Sequence, residues 1–136
     1  MGPIPDSLMV EPPNSVILIV GRDEFTPPLN IGPDGSAATE DCVAVATVSV
    51  QDAQTRIGLG TNPQTDEYAI LCEYLLRTDG VVSIRNVLNE VYLSHKTPGP
   101  RARVRVWVDT LDGEPLEISV QILDPSAQEA ILSKDS

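Results

Sequence analysis

Cationic side chains are scarce in this 136-residue chain. Nine Lys and Arg stand against 20 Asp and Glu, giving a formal net charge of −11. That balance argues against a general polyanion binder, because affinity for a phosphate backbone is supplied by Lys and Arg. It argues against an anionic membrane surface for the same reason. Cysteine is nearly missing: Cys42 and Cys72 can build neither a disulfide framework nor a four-ligand metal site. The one histidine, His95, precedes Lys96 and a Pro-Gly-Pro break, and reads as an exposed loop residue. No Ser-His-Asp arrangement can be argued from it. Aromatics make up only 4%, so a core must come from Val, Ile and Leu. The longest aliphatic run, residues 16–20, is far short of the roughly 20 residues that a membrane span needs. Met-Gly-Pro-Ile-Pro-Asp has neither a basic start nor an apolar stretch behind it. No signal peptide is expected, and a reducing, cytoplasmic location follows by default.

What is present is enough for one domain with a real core. Its charge is spread unevenly. Residues 1–60 hold two basic residues against eight acids, whereas Lys96, Arg101, Arg103 and Arg105 fall within ten residues. No acid lies between Glu90 and Asp109. This stretch is either a solvated surface or a small phosphate-contacting patch on an acidic body.

Residues 1–14, with four prolines, read as a flexible tail. Ser15–Gly21 is a strand candidate, followed by a long loop at 23–41. Val43–Val50 and Thr55–Leu59 are further strands around a turn at 51–54. The period then changes. Tyr68, Leu71, Cys72 and Leu75 occupy i, i+3, i+4 and i+7, one face of a helix with Thr65 or Asp66 as N-cap and Gly80 as stop. Alternation of Tyr68, Ile70, Cys72, Tyr74 and Leu76 allows a strand instead. Ser83 opens a second helix, in which Ile84, Val87, Leu88, Val91 and Tyr92 fill the same template. Arg101–Val108 and residues 116–122 both alternate around Asp112-Gly113, which indicates a β-hairpin. Yet Val104, Trp107, Val108 and Leu111 also fit a helix face. The stretch from Asp124 is read as a C-terminal tail, with a short helix possible from Ala127, capped by Ser126.

The run Asp66 to Tyr92, with Gly80-Val81-Val82-Ser83 between two apolar stretches, resembles the OmpR/PhoB-type winged-helix effector domain of bacterial response regulators. Val48 to Ile57 is similar to that family's strand-turn-strand, and Arg103 to Leu111 to the start of its recognition helix. The resemblance implies an α+β fold over residues 15–123: a winged helix-turn-helix with an N-terminal antiparallel sheet, three helices and a C-terminal hairpin. It implies DNA phosphate contact by Lys96, Arg101, Arg103 and Arg105, with Trp107 and Thr110 on the recognition surface. Ser83 and Arg85 would meet the backbone at the start of the second helix. The segment Leu93–Pro100 matches the family region that touches RNA polymerase. Two departures stand against this: Asp109, Thr110 and Asp112 occupy places where the family has basic residues, and the wing's Arg-Gly-x-Gly-Tyr stretch is missing.

Enzyme chemistry finds no support. Gly58-x-Gly60 lacks a third glycine and a P-loop lysine, so no nucleotide cofactor is expected. Asp23-Glu24 and Glu40-Asp41 read as solvated pairs, and both cysteines as structural thiols. Two readings remain, neither an enzyme. One is a transcriptional regulator contacting DNA and RNA polymerase. The other is an acidic protein-interaction module, of the inhibitor or immunity type, that pairs with a basic protein.

Overall fold

Alternation, not helical periodicity, governs how the chain folds. The computed structural model describes residues 7–49, 51–61 and 67–125. These form ten strands: β1 Ser7–Val10, β2 Val16–Val20, β3 Ser36–Ala38, β4 Cys42–Ala46, β5 Thr55–Gly60, β6 Ala69–Arg77, β7 Val81–Arg85, β8 Val91–Lys96, β9 Arg101–Val108 and β10 Glu117–Leu123. A single 3₁₀ turn, Pro13–Ser15, precedes β2. The sheet orders are β1-β5-β10-β9-β6 and β3-β4-β2-β7-β8. Within the first sheet β5 and β10 run parallel, and the other ladders are antiparallel.

The sheets pack face to face over one core. Ala102, Val104, Val106 and Val108 of β9 point inward, as do Ile118, Val120 and Ile122 of β10. From the other sheet come Ile17 and Ile19, Val43 and Val45, and Val82 and Ile84. Such branched side chains pack well on a pleated surface, which makes an aromatic-poor core sufficient. The expected surface loop at 23–41 instead covers the second sheet's outer face. Phe25 packs there on Leu18, Val20, Cys42 and Ala44, and residues 36–38 add an edge strand.

The three-helix expectation is therefore corrected, and with it the winged helix-turn-helix. Among the described residues there is no α-helix. The first expected helix is β6, in which Cys72, Tyr74 and Leu76 of the alternating set pair with Val106, Val104 and Ala102 of β9, while a bulge between Ile70 and Cys72 sets Ile70 opposite Trp107. Thr65 and Asp66, its expected caps, lie outside the described residues. Ser83, expected to cap a second helix, is buried in the middle of β7. The expected recognition helix at 101–111 is β9, paired with β10 as the alternation itself indicated. Local helical spacing lost because ladder pairing along both edges of β9 satisfies the backbone while burying every second residue. Ser7–Val10, within the expected N-terminal tail, pairs with β5. Of the C-terminal tail only Asp124 and Pro125 are described, so the possible helix from Ala127 lies outside.

At one end the two sheets are laced together through backbone. Gly21 N–H donates to Asp41 O (3.1 Å), Arg77 N–H to Glu40 O (2.7 Å) and Asp79 N–H to Gly21 O (2.8 Å). A Cβ on Gly21 would sit 2.1 Å from the Arg77 carbonyl oxygen. Backbone on both sides leaves no flexible atom to yield. Gly21→Ala is expected to cost about 3 kcal/mol, at the upper end for overpacking, read as a lower urea midpoint at unchanged slope.

Candidate functional site

The alternation that buries Val104 and Val106 turns Arg103, Arg105 and Trp107 onto the outer face of the first sheet. All three are only partly exposed. Register aligns Arg105 with Glu73 of β6 and with Gln121 of β10. Glu73, its side chain 3% exposed, lies between the two cations: 3.2 Å from Arg103 Nη1 and 2.8 Å from Arg105 Nε. Arg103 Nη2 also donates to Pro125 O (3.4 Å). Trp107 Nε1 donates to Gln121 Oε1 (3.0 Å), and Gln121 Nε2 donates to Thr61 O. Two of the four patch cations are thus held inside an intramolecular network. The other two, Lys96 at the end of β8 and Arg101 at the start of β9, are exposed.

Ser83 and Arg85 are held in the same way on the other sheet. The Arg85 guanidinium donates to Ser83 Oγ (2.8 Å), Asn89 Oδ1 (2.8 Å) and Asp23 Oδ1 (2.7 Å), and lies 5.9 Å from the centre of the Phe25 ring. It ties the covering loop to the β7–β8 hairpin. Leu93–Lys96, expected to be a loop facing RNA polymerase, belongs to β8. Thr110 sits in the β9–β10 loop, where its hydroxyl accepts the Asp112 N–H (3.0 Å). The structure therefore does not gather the eight expected residues into one surface. They divide between two outer faces and both ends of the sandwich.

A different surface emerges from the same register. Val16 pairs with Ala46, and Ala46 lines a cavity of about 240 Å³ with Val108 and Leu111. Arg85 pairs with Leu18, so the β7–β8 loop leaves the sandwich at this end too. Asp34, Glu90, Asp109, Asp112 and Glu114 all belong to turns or loops here, beside Arg56 on the nearby β5 and Arg85, paired with Asp23, at the end of β7. Arg22, Arg77, Lys96 and Arg101 lie at the opposite end, around the Gly21 lacing. There Arg22 is 3.9 Å from Asp41 and 3.7 Å from Asp79, and Arg77 is 3.6 Å from Glu40.

The acidic end also presents apolar side chains that the core does not use. Leu88 is 67% exposed and Leu111 61%, with Val87, Val91 and Leu116 exposed as well. Sequence reasoning missed this by spending Val87, Leu88 and Val91 on a helix face. The signal available was Asn86-Val-Leu-Asn89 between two alternating runs, which is turn chemistry. Asn89 takes φ +66°, and the Asn86 side chain accepts Leu88 N–H (2.9 Å) and Glu90 N–H (3.1 Å) while donating to Glu90 and Tyr92.

A larger groove of about 440 Å³ runs over β5 and β10, lined by Arg56, Tyr68, Glu117 and Ser119 among others. The Tyr68 hydroxyl donates to Glu117. That hydrogen bond, aided by desolvation, pushes the Tyr68 phenol up to about 12. Burial likewise pushes both the Cys42 and Cys72 thiols up to about 12, with the Asp41 charge adding to the effect at Cys42. Both thiols are buried and held protonated at neutral pH, the opposite of the exposed, electropositive setting of a reactive cysteine.

Three outcomes follow. Glu73→Gln leaves two partly buried guanidinium groups without their shared charge, and is expected to destabilise the fold by about 2 kcal/mol. Paired thermal denaturation of the variant and wild type measures it. Protons on Cys42, Cys72 and Tyr68 are held more tightly in the folded than in the unfolded state. Their stabilising contribution is complete below about pH 9 and is lost as pH rises towards 12. Thermal midpoints should fall over that window, less steeply for Cys42→Ala/Cys72→Ala. Thiol reagents at pH 8 should modify the wild type only on unfolding.

No protein-family model matches the chain, and no curated protein matches it. Among solved structures it is similar to ComJ from Bacillus subtilis, described as the inhibitor of the DNA-degrading activity of NucA. The likeness has a TM-score of 0.56 at 12% identity, and covers 86% of this chain and 95% of that one. At that identity the likeness is one of fold. It stands in place of the response-regulator resemblance, which the absence of α-helices among the described residues overturns together with its helix-turn-helix, DNA-binding and transcriptional reading.

Proposed function

We propose that this chain is a non-enzymatic, protein-binding module of the inhibitor type, which engages a basic partner through its acidic surface. The observation that carries this reading is how the cations are used. Arg22, Arg77, Arg85, Arg103 and Arg105 each lie within ion-pair distance of a carboxylate of the same chain. Among the described residues Arg56, Lys96 and Arg101 are the cations outside these pairs, and carboxylates outside them are more numerous. A surface of that sign repels nucleic acid and steers a cationic protein towards it. A protein that handles nucleic acid carries such a cationic surface, and covering it would block substrate entry without any chemistry by the inhibitor. The fold shared with ComJ supports the same direction, since that protein acts on a nuclease.

The reading is tested by adding the purified chain to NucA and following DNA degradation, beside calorimetric titration of the two proteins at several salt concentrations. A saturable complex that inhibits degradation and weakens as salt rises is the expected result. Duplex DNA should show no mobility shift with the chain even at low salt. A DNA shift, or a nuclease left fully active by excess chain, would overturn the reading for this class of partner.

A further inference from the structure

We infer that the loop end of the sandwich, where the β7–β8 and β9–β10 tips emerge, is the surface that docks the cationic face of a folded partner protein. The inference rests on the inhibitor reading above and gives it a location. Single exposed apolar residues are ordinary on a protein surface. Here Val87, Leu88 and Val91 come from one tip, and Leu111 and Leu116 from the other, at the same end. The core uses none of them, so folding does not account for their being apolar.

Both tips are held in shape before any partner arrives. In the first, Asn86 binds two backbone N–H groups of its own loop, and Arg85 clamps Asn89. In the second, Asp109 Oδ1 accepts the N–H groups of Leu116 (3.0 Å) and Glu117 (3.2 Å). Preorganised tips lose little conformational entropy on binding, which leaves more of the burial energy for affinity. Beside Leu111 lies the 240 Å³ cavity, whose walls include Pro33, Leu71 and Pro115. It is large enough to take an apolar side chain from a partner.

Charge decides the occupant. The carboxylates of Asp112 and Glu114 make no hydrogen bond or ion pair among the described residues, and Asp34 and Glu90 flank the same end. Nucleic acid and anionic membranes are repelled by this field. A small cation is not what the geometry fits either, because among the described residues no three acidic, His or Cys groups converge as metal ligands. Apolar anchors set among carboxylates match a protein surface in which Lys and Arg surround an apolar centre, the usual layout of an interface core and its rim.

The test uses the full chain, labelled with ¹⁵N, and a defined probe: a cationic peptide of alternating Lys and Leu. Amide shifts on titration should concentrate at 86–91 and 109–116. Leu88→Ser/Leu111→Ser should weaken binding at least about tenfold, the loss expected for one desolvated apolar anchor. Asp112→Asn/Glu114→Gln should flatten the salt dependence, and Lys96→Ala/Arg101→Ala at the far end should change neither. Thermal midpoints near the wild-type value establish that each variant is folded. Shifts centred on residues 96–101 or on the Trp107 face would overturn the inference, as would unchanged affinity in the serine variant. If NucA is not inhibited but the peptide maps to the tips, the surface stands and the nuclease reading falls. If both tip variants inhibit NucA as well as the wild type does, the inhibitor reading stands and this surface falls.

Discussion

The whole arrangement depends on one steric constraint: successive side chains of a strand point to opposite faces. In β9 this places Ala102, Val104, Val106 and Val108 in the core, and with the same stroke puts Arg101, Arg103, Arg105 and Trp107 outside. Because β9 has β10 on one side and β6 on the other, a slip of one residue would drive guanidinium groups into an aliphatic core. Register there is therefore strongly specified, and it fixes which carboxylate meets which arginine. Glu73 faces Arg105 because Cys72 and Leu76 must face inward.

That pairing has a functional consequence. An arginine-rich strand on an acidic protein invites a nucleic-acid reading, yet position alone does not make a cation available. Arg103 and Arg105 share a nearly buried carboxylate, and Arg85 holds a loop against the opposite sheet. One carboxylate offsets only part of the charge of two guanidinium groups, yet all three arginines are tied to partners within the chain. The formal net charge of −11 comes from an excess of carboxylates, several of them in the loops at the end opposite Gly21.

Several elements were legible in the sequence, and the reason others were not is physical. Ser15–Gly21 and Thr55–Leu59 read as strands because β-branched runs ended at turn residues. The hairpin of Arg101–Val108 with 116–122 was legible from alternation alone, and the family resemblance pulled it towards helix. Ile84 to Tyr92 misled more deeply. Its five apolar residues match a helical face in spacing, but only Ile84 is fully buried; Val87 and Leu88 lie in the β7–β8 turn and Val91 opens β8, all three exposed. Spacing records which residues are apolar and not what they face. Partners distant in sequence, such as β6 for β9 or β5 for β10, decide that. The proposed docking surface was invisible for the same reason: it is assembled from loops brought to one end by sheet topology.

The division of labour between the two ends is a further consequence of that topology. At the Gly21 end the backbones of both sheets are cross-linked, arginines are paired with Asp41, Asp79 and Glu40, and a single added methyl group is not accommodated. Such an end is costly to vary, since each side chain there answers to several neighbours. At the opposite end hairpin loops are held mainly by their own Asn86 and Asp109, and Leu88 and Leu111 lie outside the core. A scaffold that concentrates its structural constraints at one end and self-supporting loops at the other can alter what it recognises without altering how it folds.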